Sequence, residues 1–132
     1  MEEEKIHILD VLQSNSSQIW YREHESGKKD KIERNIFVCQ TEEDLLKTEC
    51  FYTKEAYASP MIMTDSPIAG ERSWIPQDNR RVDTDVIMFV QNNVFIRLYI
   101  NLQGEIDPHQ LTVKLAKRLE NIIKDETVII DM

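Results

Sequence analysis

The sequence predicts an α+β domain, an antiparallel sheet of about five strands with two helices packed on one face, with residues 1–132 forming a single domain. Three observations predict it. Apolar residues alternate with period two on either side of Asn92-Asn93, the pattern of a β-hairpin. After Asp107-Pro108 the period becomes that of an amphipathic helix. Thr41-Glu42-Glu43-Asp44 opens another helix after an earlier strand pair, with acidic residues in the first turn, where the helix dipole favours them.

In chain order, residues 4–13 read as a short helix with Ile6, Leu9 and either Val11 or Leu12 inward, or else as a strand, lying at an edge of the sheet. Gln18–His24 and Lys31–Gln40 are strands separated by a turn over residues 25–30. The helix from Thr41 runs to the neighbourhood of Ala58, where Pro60 ends the pattern; Leu46, Cys50 and Tyr57 share one face, and Leu45, Tyr52 and Ala56 another. Ser66–Pro76 is extended, and a polar loop over residues 77–84 leads to the hairpin.

The hairpin register follows from its turn. A two-residue Asn92-Asn93 loop of type I′ sets Gln91 opposite Val94, Phe89 opposite Ile96 and Ile87 opposite Leu98 on one side. The other side then pairs Val90 with Phe95, Met88 with Arg97 and Val86 with Tyr99. A one-residue slip would invert every side chain, so the turn and the pattern support each other. Beyond the hairpin, Asp107 caps a helix over residues 108–124 and Pro108 occupies its first position. Leu111, Leu115, Leu119 and Ile122 form its stripe, which Ala116 and Ile123 widen. Lys114, Lys117, Arg118 and Lys124 lie on the opposite, solvated face.

Composition bounds the function. With 41% hydrophobic and 30% charged residues, the chain is that of a globular protein able to bury one core. A formal net charge of −8 opposes non-specific nucleic-acid binding, which needs a basic footprint. No apolar run reaches the roughly 18 residues of a spanning helix, so no membrane-spanning segment is expected. Met1-Glu2-Glu3-Glu4 is the reverse of a positively charged signal start.

No catalytic, cofactor-binding or metal-ligating residue stands out. Cys39 and Cys50 lie outside the spacing of zinc knuckles and redox pairs, and a helix between them sets them roughly 12 Å apart, too far for a disulfide. Both read as core residues, with nearby acidic groups raising the Cys39 pKa. His7, His24 and His109 have no second ligand at helical or strand spacing. Asp78, Asn79, Asp83 and Asp85 form a turn without a calcium-loop frame. Ser73 lacks the second glycine of a nucleophile elbow.

The order Phe37–Asp44, then Ile68-Ala69-Gly70-Glu71-Arg72-Ser73-Trp74, then Phe89–Ile96, then Leu111–Ile123 resembles small uncharacterised α+β domains of bacterial and archaeal envelope proteins and lipoproteins. Asn93 departs from that pattern, which commonly has glycine in the turn. The resemblance implies no reaction and no cofactor. It implies a non-catalytic accessory or protein-binding domain, extracytoplasmic as a mature domain lacking its signal; the alternative is a small enzyme with a non-local active site built from His24 or His109 and carboxylates. With the helices on the opposite face, Met88, Phe95, Arg97 and Tyr99 are the expected surface for a protein partner or homodimer, with cover by the N-terminal segment or the 60–70 loop as the competing reading.

Overall fold

The computed structural model describes residues 16–55, 61–77, 84–104 and 107–130. The expected element over residues 4–13, His7, the polar loop with Asp78, Asn79 and Asp83, and the end of the helix near Ala58 lie outside the described residues. Among these residues six strands, β1 (Ser16–Glu23), β2 (Lys29–Val38), β3 (Met61–Met63), β4 (Arg72–Pro76), β5 (Thr84–Gln91) and β6 (Val94–Asn101), form one antiparallel sheet in the order β1-β2-β6-β5-β4-β3. The strand beyond the expected five is β3. Its three residues are too short to carry a period.

The β5–β6 register is the expected one, from Gln91 opposite Val94 to Val86 opposite Tyr99. The turn differs. Asn92 has φ 57° and Asn93 is not left-handed, which gives the φ signs of a type II′ loop rather than type I′. Contacts from outside the hairpin hold the turn in this form. Asn93 Nδ2 donates to the Cys39 carbonyl, the Cys39 N–H donates to the Asn93 carbonyl, and the Asn92 N–H donates to Glu71 Oε2.

Thr41 caps α1 (Glu42–Cys50) as expected, its Oγ1 accepting the Asp44 N–H at 3.1 Å. The helix continues through a wide π turn over Phe51–Glu55. Leu45 and Tyr52 face the sheet while Leu46, Cys50 and Phe51 are exposed, so Cys50 is not the core residue its spacing suggests. Helix α2 (Pro108–Ile130) buries Thr112, Ala116, Leu119 and Ile123. Leu111, Leu115 and Ile122 flank this line half-buried, a stripe turned slightly from the expected one. Lys114, Lys117, Arg118 and Lys124 are exposed.

The helices do not share a face. Strand alternation sends Ile87, Phe89, Ile96 and Leu98 to one side, where they meet Ala116, Leu119 and Ile123 of α2. Met88, Val90 and Phe95 point the other way, into a cluster with Leu45 of α1 and with Trp74, Phe37 and Tyr52. The expectation of two helices on one face is therefore corrected to one helix on each. The cause is composition: both sides of β5 and β6 are apolar, and each needs its own cover.

Gly70 has φ 71°, and a Cβ added there would lie 2.3 Å from the Val90 carbonyl oxygen. Gly70→Ala is expected to cost about 2 kcal/mol or more. Ile123→Ala, at a fully buried site, is expected to cost about 2–5 kcal/mol and Leu115→Ala clearly less. Urea titration checks all three; equal midpoints for the two helix variants would contradict the observed stripe.

Candidate functional site

The four residues expected to form a partner surface separate into two groups. Met88 and Phe95 are 0% exposed. Tyr52 stacks on Phe95 with ring centroids 5.7 Å apart, and Trp74 and Phe37 flank it at 6.1 and 6.3 Å. These two are core, because α1 and its π turn close over that end of the sheet. Arg97 and Tyr99 stay on the same face beyond the reach of α1. Arg97 Nη1 donates to Glu33 Oε2 at 2.7 Å and to Asn35 Oδ1 at 2.9 Å, and its guanidinium lies 5.5 Å from the Tyr99 ring centroid. Lys31 approaches the same ring at 5.5 Å.

Further out on this face no described helix covers the sheet. Helix α2 packs over β5 and β6 and α1 over β6, so β1 and the outer part of β2 form a wing beyond both helices. Ile19, Trp20 and Tyr21 of β1 are 46%, 47% and 62% exposed. Ile19 and Tyr21 share the face of Arg97 and Tyr99, and Lys29 lies 6.0 Å from the Tyr21 ring. Trp20 points to the α2 side, where the Arg34 guanidinium lies 5.6 Å from its ring. Sequence reading passed over this wing as a surface. Its only signal is three consecutive apolar residues in one strand, which put apolar side chains on both faces whether the strand is central or at an edge.

The structure joins both described histidines to buried carboxylates. Asp30 Oδ2 accepts Arg22 Nε at 2.9 Å and Nη2 at 2.5 Å, while Oδ1 accepts the Gln103 N–H at 2.7 Å and lies 2.8 Å from His24 Nε2. Burial pushes this carboxyl up, but the Gln103 N–H, His24 and Arg22 together outweigh it and hold its pKa at about 2. Asp85 Oδ2 lies 3.0 Å from Nδ1 of His109, whose side chain is half exposed. Asp85 starts the cross-strand row through Ile100 and Ile32, and Asp30 lies two residues along β2 from that row, roughly 12 Å from Asp85, so the two pairs do not form one site. No group of three His, Cys, Asp or Glu suited to a metal occurs among the described residues.

The remaining candidates are structural. Ser73 is buried, its Oγ accepting the Ile68 N–H at 3.0 Å and pairing with Thr64 Oγ1 at 2.7 Å. Both thiols are free. Cys39 is buried; burial raises its pKa, and the Asp44 and Glu49 charges add to that against the Thr48 hydroxyl. No family model matches the chain, and neither a curated protein nor a solved structure matches it. No helix among the described residues is long and apolar enough to cross a membrane.

Because Asp30 titrates lower when folded than its ordinary 3.8, the stability it contributes is complete above about pH 4 and is lost as the pH falls towards 2. The urea midpoint of the wild type is expected to drop more steeply across that window than that of Asp30→Asn, which starts lower at neutral pH. Parallel slopes would contradict the assignment.

Proposed function

We propose that this chain is a non-catalytic protein-binding domain whose partner docks on the wing formed by β1 and the outer part of β2. One observation carries the reading: Ile19, Trp20 and Tyr21 stand exposed in a sheet whose central strands are buried on both faces. Runs of exposed aromatic and aliphatic side chains beside arginine have the composition enriched in protein interfaces. Tyr99, half-buried, adjoins the surface on one face, with Lys29, Lys31 and Glu33 as its polar surround, and Arg97 lies mostly buried beneath it against Glu33 and Asn35. Met88 and Phe95 support it from inside rather than touching the partner. The setting in the cell envelope rests on the sequence resemblance alone.

The reading of a small enzyme draws on Asp85 and His109, a buried carboxylate against an exposed imidazole. The binding reading accounts for more of the surface. Asp30 is fully occupied as an acceptor, and its four contacts tie together the β1–β2 turn, β1 and the segment after β6.

A photoreactive amino acid in place of Tyr21 tests the proposal, with the same replacement at Leu46 on the outer side of α1 as control. A discrete cross-linked adduct is expected at position 21 alone. Ile19→Ser with Tyr21→Ser should weaken that association about tenfold or more while leaving the urea midpoint nearly unchanged. Adducts of equal yield at positions 21 and 46, or none at position 21, would overturn the reading.

A further inference from the structure

We infer that the partner on the wing is a second copy of this chain, joined edge to edge through antiparallel pairing of the two β1 strands. The inference rests on the wing being a binding surface and names its occupant. It starts from the β1–β2 turn, where the His24 N–H donates to the Lys28 carbonyl at 2.8 Å. His24 and Lys28 are therefore a hydrogen-bonded pair, and in an antiparallel ladder such pairs recur at every second residue. With the observed register of Glu23 opposite Lys29 and Arg22 opposite Asp30, the even-numbered residues of β1 aim their backbone groups at β2. Ser17, Ile19, Tyr21 and Glu23 consequently aim theirs out of the sheet edge.

Within β1 itself, and among the described residues beside it, that edge carries none of the usual protections. β1 has eight residues, no proline, no glycine and no lysine, and its charges, Arg22 and Glu23, stand together at one end. The opposite edge, β3, has only three residues. Two β1 strands related by a two-fold axis through Trp20 fit each other in side chains as well as backbone. Ile19 then faces Tyr21 of the other copy on one side of the sheet, and Trp20 meets Trp20 on the other side. Gln18 faces Arg22, and Ser17 faces Glu23.

The outward-pointing backbone groups fall opposite one another in this register, as Ile19 with Tyr21 and Ser17 with Glu23, each pair occurring twice. A two-fold through Tyr21 would instead oppose Ile19 to Glu23 and Trp20 to Arg22. A one-residue slip would bring α1-side residues against α2-side residues. The helices pack on β5 and β6, clear of the approach, and the result is a continuous sheet of two copies. An edge of this length buries area at the low end of stable interfaces, so the dimer forms at micromolar concentration and above.

Sedimentation of the whole chain over a concentration series tests this, with the mass expected to rise from 15.6 kDa to twice that value. Ile19→Pro removes an outward N–H without touching a bond to β2, and is expected to hold the chain monomeric. Where that variant loses its fold, cysteine pairing gives the answer. In a Cys50→Ser background, Trp20→Cys should oxidise to a covalent dimer, because Cα atoms of a non-hydrogen-bonded pair lie about 4.5 Å apart. Ser17→Cys should not, since its two copies would lie roughly 20 Å apart. A wild type monomeric throughout the series, or equal cross-linking at positions 17 and 20, overturns the inference. If a photoadduct at position 21 then joins a different protein, the binding-domain reading stands without the dimer; if no adduct forms either, both fall.

Discussion

The rest of this structure depends on the burial of the β5–β6 hairpin on both of its faces. Ile87, Phe89, Ile96 and Leu98 on one side, and Met88, Val90 and Phe95 on the other, are almost wholly removed from water. A hairpin with two apolar faces is unstable unless two separate bodies cover it. That requirement puts α2 on one side and α1, with its π turn, on the other. Neither of these two helices reaches β1, and the exposed wing is the remainder of that division of cover among the described elements.

The parts of the fold legible in the sequence are those set by neighbours in the chain. The β5–β6 register follows from alternation and turn length, and the Thr41 and Asp107 helix starts follow from side chains that bond N–H groups within the first turn. What was not legible is set at a distance. Which face a helix crosses to depends on where its connecting segments travel. The Asn92-Asn93 turn is held by Cys39, fifty-four residues before Asn93, and by Glu71, contacts that strand alternation does not announce. Cys50 falls on an apolar-looking line of α1, yet that line points to solvent because Leu45 and Tyr52 take the inner side.

The candidate site was legible in part for the same reason. Arg97 and Tyr99 could be assigned to one face because they alternate within a single strand. That Phe95 would be capped by Tyr52 required knowing where residues forty positions away would pack. The exposure of Trp20 required knowing that β1 ends the sheet. Strand order is a property of long-range pairing, and a single strand carries no mark of its rank within a sheet.

The sheet order also divides the molecule by sequence distance. Every pairing but one joins strands that are consecutive in the chain; the exception is the seam between β2 and β6, whose partners lie as much as seventy residues apart, from Lys31 with Asn101 to Val38 with Val94. Each end of that seam has a separate fastening, Asp30 on the Gln103 N–H at one and the Cys39–Asn93 contacts at the other. The β1–β2 hairpin is thus a flap closed by two clasps onto a body that holds both helices and four strands. Among the described elements, parting the seam frees the flap as a unit and bares the edge of β6, so the amides of β1 and β2 exchange through an opening that β4 and β5 do not share.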